Sequence, residues 1–415
     1  MQKTKVVNNT IMLYVMTIAK LIFPLCTLPY LTRVLSTDAY GFVSYVKSCM
    51  TYMQLIVDFG FILSAVKDIV KANGDQRRIG EIAGNVFVSK LCLSIISGLT
   101  LVVMCVFIKL LQLNILFVVL SFVTVATTSF LADFLFRGLE KMHYITIIYL
   151  IAKGTSTALT FVLVRGDSSI MWMPILDITA NVISILISFI ILFKLKIRIY
   201  FTRLKDCFVM IKDSFFYFLS SVATTAFAAL NTVLIGIYLT DLDKIAQWTL
   251  CLHIVSAIQG LYAPITNSIY PHMIKEKNLA FIHKTLMIFM PIVIAGCAMC
   301  YFFADLAILI VGGEKYLEAS GLFRLMIPIL FFSFPAQVYG WPTLGAIGKV
   351  KQTTASTMIT AVAQILGLAF LIVTKKFTLP ALVVLRFSTE ALMMAIRMGI
   401  TYKNRRCFTG GATVE

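Results

Sequence analysis

GNVFVSKLCLSIISGLTLVVMCVFI, residues 84–108, is a run of 25 residues with one basic or acidic side chain, Lys90. A helix rises 1.5 Å per residue, so about 20 residues cross the ~30 Å hydrocarbon layer of a bilayer. The run is long enough to do so. It is also continuous, whereas a barrel strand with one face to lipid and one to a lumen alternates over about 10 residues. Eleven further runs read the same way: 9–31, 41–66, 114–136, 144–164, 170–193, 214–239, 245–272, 285–311, 320–345, 353–373 and 379–402. The fold class that follows is an all-α polytopic membrane protein of about 12 transmembrane helices. Composition agrees. The chain is 60% hydrophobic and 13% charged, against about one quarter charged in a soluble domain. Its mean hydropathy is +0.93.

Lys and Arg mark the cytoplasmic side of a membrane protein. With the N-terminus inside, 22 of them, from Lys3 and Lys5 through Lys194–Lys212 to Lys403, Arg405 and Arg406, fall on one side of the spans. Only 7 (Arg33, Lys109, Arg165, Lys244, Lys315, Lys375 and Lys376) fall on the other. Both termini are therefore expected in the cytoplasm, and the net charge of +17 needs no nucleic acid to explain it. The first run is too long for a signal-peptide h-region and is expected to remain as the first helix. Most of the 9 cysteines lie inside spans, which argues against a disulfide framework. Cys297 and Cys300 form a CxxC in an apolar helix with no second ligand pair, and read as packing rather than as a metal site.

Residues 194–213 form the longest cytoplasmic connection. They interleave basic residues with Ile199, Tyr200, Phe201, Leu204, Phe208 and Ile211, the pattern of a segment lying in the membrane interface. The expected organisation is an N-terminal six-helix bundle (1–193), this linker (194–213) and a C-terminal six-helix bundle (214–415). A shift of 208 residues places Tyr30, Leu31 and Thr32 on Tyr238, Leu239 and Thr240. The same shift places Leu139, Lys141 and Thr146 on Ile347, Lys349 and Thr354. Duplicated halves of six spans each share an orientation, so a pseudo-two-fold along the membrane normal is expected, with a substrate path between halves.

Ionisable groups inside spans are costly and mark function by default. Lys47, Thr51, Gln54 and Asp58 form a stripe: at 100° per residue, Lys47 and Asp58 differ by only about 20° in direction and about 16 Å in height. Arg386, Glu390, Met393 and Arg397 fall within about 60° of one another on the last span. Shorter stripes carry Lys20, Pro24 and Thr27; Lys153, Thr157 and Thr160; and Ser220, Thr224 and Asn231. Lys90, Asp177, Asn181, His253 and Arg324 are further candidates. Together these stripes imply a water-accessible cavity with an excess of cations, suited to an anionic ligand such as a diphosphate. The cationic set is Lys20, Lys47, Lys153, Arg324, Arg386 and Arg397. Asp58, Glu390 and Asp177 are candidates for coupling to H⁺ or Na⁺, with a structural Arg386–Glu390 pair at i, i+4 as the competing reading. Gln54, Thr157, Asn181, Ser220, Thr224 and Asn231 are the expected polar lining. Asp133 is expected to be neutralised by Arg137 one turn later. Prolines inside spans, Pro24 and Pro174 among them, are expected to bend helices. No catalytic residues, metal ligands or cofactor motifs stand out: there is no Walker loop, no His and carboxylate array and no large extramembrane loop.

Several stretches bear a family resemblance: LPYLTRVLSTDAYGFVSY (Leu28–Tyr45), VDFGF (Val57–Phe61), FRGLEKM (Phe136–Met142), SIYPHM (Ser268–Met273) and GGEKYLEASGLFRLMIP (Gly312–Pro328). In their order and spacing over twelve spans the chain resembles the Wzx-type O-antigen flippases. These form the polysaccharide transporter branch of the multidrug/oligosaccharidyl-lipid/polysaccharide exporter superfamily. The resemblance implies two six-helix bundles around a cationic cavity in the bacterial cell inner membrane. The cargo it implies is an undecaprenyl-diphosphate-linked oligosaccharide, turned from the cytoplasmic to the periplasmic leaflet. An O-antigen polymerase and a chain-length regulator are the implied partners, beside membrane lipid. Two other readings compete. A multidrug or cation antiporter of the same superfamily would have a more acidic and apolar cavity, and a membrane-embedded glycan polymerase or transferase would carry a long periplasmic loop.

Overall fold

In the computed structural model the described residues are 2–72, 74–225 and 229–408, and among them no strand occurs. Twelve helices are long and apolar enough to cross a membrane. They are α1 (Gln2–Val34), α2 (Thr37–Lys71), α3 (Gln76–Phe107), α4 (Ile115–Gly138), α5 (Met142–Leu163) and α6 (Asp167–Lys194), followed by α7 (Leu204–Thr225), α8 (Leu242–Glu276), α9 (Leu279–Phe302), α10 (Ala319–Gly345), α11 (Val350–Val373) and α12 (Leu379–Lys403). The protein is therefore a multi-pass membrane protein. Its outward side chains are apolar: Phe107, Phe193 and Val373 are about four-fifths exposed. In lipid this exposure carries no hydrophobic penalty.

Short polar residues start many of the helices by taking up backbone N–H groups that have no partner inside the helix. Ser36 accepts from Ala39 N in α2, Asp75 from Arg77 N and Arg78 N in α3, and Asn114 from Phe117 N in α4. Asp241, Asn278 and Thr378 do the same for α8, α9 and α12.

The chain divides into two compact units, Met1–Val222 and Ala223–Glu415. α7 departs from the sequence expectation. It starts at Leu204, ten residues before the expected 214, so half of the stretch read as a linker is helix. The reason is a packing face: Cys207 and Ser214 are buried, and Met210 and Ile211 pack on the first unit's core. Residues 226–228 of the expected seventh span lie outside the described residues, and a short helix, Ala229–Tyr238, follows.

Each unit interrupts corresponding spans in corresponding places. α2 breaks after Asp58 and restarts at Phe61; α8 breaks after Gly260 and restarts at Ala263. α3 and α9 are each followed by a short helix, Lys109–Gln112 and Ala304–Val311. α4 breaks at Leu131–Ala132, and α10 loses regular geometry over Tyr339–Gly345, with Gly340 non-helical. Ala132 and Gly340 are 208 residues apart, as are the starts of α5 and α11. The offset found in sequence is thus also the offset of the α4 and α10 breaks, while the α2 and α8 breaks are 202 residues apart.

Two of these breaks are held by identifiable contacts. At α2 both Phe59 (φ 39°) and Gly60 (φ 79°) are left-handed. Glycine adopts this freely, but a side-chain-bearing residue pays about 1–2 kcal/mol for it. Phe59 is compensated by stacking on Phe218, with ring centroids 4.4 Å apart and planes 8° from parallel. A Cβ on Gly60 would fall 2.5 Å from the Tyr217 Cβ, so only glycine lets α7 approach there. At α10 a Cβ on Gly340 would fall 2.8 Å from Arg397 Nη1. Pro342 lies in the irregular Tyr339–Gly345 stretch of α10 and Pro264 at the restart of α8 after its break; Pro174 is in the first turn of the helix that begins at Trp172, while Pro24, Pro29, Pro291, Pro328 and Pro335 lie inside helices.

Candidate functional site

In the first unit a cavity of about 130 Å³ opens between α1, α2, α5 and α6. α1 lines it with Phe23, Pro24, Thr27 and Leu31; α2 with Lys47; α5 with Lys153, Ser156, Thr157 and Thr160; α6 with Met173 and Asp177. Lys47 follows seven consecutive buried residues on α2 yet is itself exposed, because it opens onto this space. Lys153 Nζ lies 2.5 Å from Asp177 Oδ1, while Lys47 has no ion-pair partner among the described residues. The cavity therefore holds one ion pair and one further amine, Lys47, with Asp177 as the opposite charge acting on both lysines and a formal net charge of +1 from the three groups. Thr160 donates to Ser156 O (2.8 Å) and Thr27 to Phe23 O (3.0 Å), leaving lone pairs toward the cavity. Small anions fit such a lining, since Lys supplies three rotatable donors and hydroxyls adjust to suit.

A second charged cluster occupies the same unit. Lys90 Nζ pairs with Asp58 Oδ1 at 2.8 Å, and Gln54 Nε2 donates to Asp58 Oδ2 (2.7 Å) and to Thr128 Oγ1 (2.9 Å). The α2 stripe is therefore shared between two environments. Lys47 faces the cavity, and about two and three turns further on Gln54 and Asp58 engage α3 and α4. The expected compensation of Asp133 by Arg137 is shared among several charges rather than made by a close pair. Asp133 is the first residue of the segment restarted after the α4 break, and no ion pair within 4 Å joins it to Arg137 among the described residues. The electrostatic neighbours of Asp133 are Lys90, Arg137 and Lys20. The ammonium of Lys20 sits 5.5 Å above the Tyr149 ring. Asn181 serves structure, donating to Thr124 O and Thr127 Oγ1, both at 2.9 Å.

The cations expected in the C-terminal half are committed elsewhere. Arg324 pairs with Asp305, just past the end of α9, at 2.7 Å and donates to Tyr301 O in the last turn of α9 at 3.2 Å. Arg386 Nη2 pairs with Glu390 Oε1 at 2.9 Å, both side chains nearly buried. The competing i, i+4 reading of that pair is the geometry observed. Arg397 is buried and donates to Ala336 O (2.7 Å), Ser356 Oγ (3.0 Å) and Thr357 Oγ1 (3.0 Å), spanning α10, α11 and α12. It ties α12 to α10 and α11 at the α10 break. Asn231 is fully buried, joined to Gln364 Nε2 at 3.2 Å, and Gln364 in turn accepts from Thr389 at 2.9 Å. Ser220 is half-buried and Thr224 exposed on α7.

Of the expected site residues, then, the structure brings Lys47, Lys153, Asp177 and Thr157 to one cavity. Ser156, Met173, Phe23 and Leu31 were missed. Ser156 carries a readable signal, since it lies three residues after Lys153 and four before Thr160 on the same face. Met173 carries none.

Residues 6–277 match the family described as polysaccharide biosynthesis proteins, and the chain belongs to that family. A protein of Shigella dysenteriae named "Putative O-antigen transporter" is 30% identical over 278 residues, 67% of this chain and 69% of its own. A protein of Escherichia coli K12 bearing the same name is 24% identical over 411 residues, 96% and 97% of the two chains. Among solved structures, the lipid II flippase MurJ in an inward closed conformation superposes with TM-score 0.72 at 14% identity, covering 95% of this chain and 87% of MurJ. An inward-facing multidrug resistance MATE family transporter of the MOP superfamily superposes with TM-score 0.65, also at 14%, covering 93% and 98%. At such identities these two establish the fold.

Proposed function

We propose that the protein is a flippase for a lipid-linked oligosaccharide, with an undecaprenyl-diphosphate-linked O-antigen unit as its cargo, moved from the cytoplasmic to the periplasmic leaflet of the bacterial inner membrane with both termini in the cytoplasm. The observation that carries this reading is the cavity in the first unit, where two lysines, Lys47 and the Asp177-paired Lys153, face one carboxylate. A headgroup of diphosphate and sugars cannot cross bare hydrocarbon cheaply. A membrane-embedded cavity with a spare ammonium and hydroxyls offers it a path, while the polyprenyl tail stays in lipid. A cavity of about 130 Å³ has room for a phosphate-sized group and several waters but not for a whole oligosaccharide. In this state it suits the anionic end of the cargo. The names of the two relatives and the fold shared with a lipid II flippase support the same class. Of the three carboxylates read as coupling candidates, Asp177 alone lines the cavity, and we assign H⁺ or Na⁺ coupling to it. A non-enzymatic role, handing the cargo to a polymerase and chain-length regulator, completes the proposal.

The test is complementation of a strain lacking its own O-unit flippase, with surface polymer scored at equal membrane abundance. Wild type is expected to restore polymer, and Lys47→Ala to lower it at least tenfold, equivalent to about 1.4 kcal/mol. Lys47→Arg is expected to retain part of the activity, since the charge remains. No restoration by wild type, despite a complete cytoplasmic lipid-linked unit, would overturn the flippase reading. The exporter alternative, whose fold is the same, predicts instead drug resistance that depends on Asp177 and not on Lys47.

A further inference from the structure

Between α6 and α7 the chain runs as an extended strap along the start of α3. Tyr200 N donates to Gly80 O at 3.2 Å, Thr202 Oγ1 hydrogen-bonds Asn85 Oδ1, and Ser89 Oγ donates to Cys207 O at 3.5 Å. Further along, Ser214 and Ser64 share a hydrogen bond of 2.6 Å. The seat exists because two residues of α3 have no side chain. A Cβ on Gly80 would strike the Arg198 carbonyl, and one on Gly84 the Tyr200 carbonyl. Ile197 and Ile199 point into the first unit's core, which fixes the opposite face outward. That outward face carries Arg198, Phe201, Arg203, Leu204, Lys205 and Phe208, every one exposed. Phe201, Leu204 and Phe208 are 76%, 69% and 75% exposed, values that suit contact with lipid and not with water. Residues 194–213 hold six basic residues against two acidic, and Asp206 turns back to accept from Arg203 N.

We propose that this strap is a binding site for the headgroups of anionic phospholipids, held in a set register by Gly80, Gly84 and Asn85. The observations favour a membrane surface over a protein partner. Large apolar side chains alternate with guanidinium and ammonium groups along one rigid edge, directly continuous with transmembrane helices on both sides. That arrangement places rings at the acyl boundary and cations at the phosphates. Each basic residue close to an anionic surface strengthens binding by about fivefold. The site is separate from the cavity of Lys47 and does not depend on what that cavity carries.

The experiment uses the full-length protein in detergent, offered equal amounts of dioleoylphosphatidylglycerol and dioleoylphosphatidylcholine, with retained lipid counted by native mass spectrometry. Wild type is expected to retain phosphatidylglycerol about tenfold over phosphatidylcholine. The triple variant Arg198→Gln, Arg203→Gln, Lys205→Gln changes exposed side chains only, and is expected to bring the ratio within about twofold of unity. Lys47→Gln is expected to leave the wild-type ratio intact. An unchanged ratio in the triple variant overturns the proposal. So does a ratio lost in Lys47→Gln, which would place the lipid in the cavity. Loss of bound phosphatidylglycerol on adding millimolar inorganic pyrophosphate would overturn it as well, by assigning the strap to the diphosphate of the cargo.

Discussion

The two units carry similar numbers of intramembrane charges on spans broken at equivalent points, yet they use them differently. In the first, Lys47 is left facing a cavity and Lys153 is held by a carboxylate that lines the same space. In the second, Arg386 is matched by Glu390 within its own helix, and Arg397 is hydrogen-bonded to three partners under the α10 break. Both α2 and α12 place two charged residues eleven positions apart on one face, Lys47 and Asp58 against Arg386 and Arg397. A polar stripe therefore does not announce a binding surface. What decides is whether a neighbouring helix supplies the counter-charge and the acceptors.

The largest effect that would break this comparison lies at the Arg386–Glu390 pair. Arg386→Leu alone strands a buried carboxylate, and is expected to cost about 3–5 kcal/mol and much of the membrane abundance. The double variant Arg386→Leu, Glu390→Leu is expected to recover most of that loss, as followed by thermal unfolding in detergent. Failure of the double variant to recover, with transport lost at normal abundance, would move this pair from structure to substrate.

Next comes Arg397. Arg397→Ala removes three charge-assisted hydrogen bonds and leaves the Ala336 carbonyl without its donor, a loss of about 3 kcal/mol. Lys47→Ala, by contrast, removes no recorded partner and is expected to change stability by less than about 0.5 kcal/mol while abolishing transport. The same assay on both variants sharpens the distinction between a clamp and a ligand.

The smallest effect concerns the caps of the two equivalent helices. Ser36 caps α2 with a hydroxyl, and Asp241 caps α8 with a carboxylate, each accepting at 3.1 Å. Partial burial pushes the Asp241 carboxyl up, but the stronger combined effect of hydrogen bonds and charge from Lys244 holds it below its ordinary value of 3.8. A depressed carboxylate contributes stability that is present above its unfolded pKa and is lost as pH falls through its folded one. The stability of the second unit should therefore weaken below about pH 4 through this cap, with no counterpart at Ser36. Asp241→Ala is expected to cost about 1 kcal/mol at neutral pH and to remove that acid sensitivity.

Much of the fold was legible before any coordinates. Twelve continuous apolar runs can satisfy their backbone in lipid only as helices, and the 208-residue offset seen in Leu139, Lys141 and Thr146 reappears in the breaks of α4 and α10. The start of α7 was not legible, because basic residues among Leu204, Cys207 and Phe208 read equally as an interfacial loop; the buried Cys207 and Ser214 face settles it. The site was legible in part. Lys47, Lys153, Asp177 and Thr157 could be named from helical spacing, but Arg324, Arg386 and Arg397 looked the same by that criterion.

By itself the sequence determined that the chain crosses a membrane about twelve times, that it is duplicated, and which side chains bring charge into the hydrocarbon. These follow from local quantities: the length of an apolar run and the period of a helix. Only the tertiary structure decided which of those charges remain available. Whether a buried cation is satisfied depends on acceptors from helices tens of residues away, Asp177 for Lys153 or Ala336, Ser356 and Thr357 for Arg397. Helical periodicity contains no information about them.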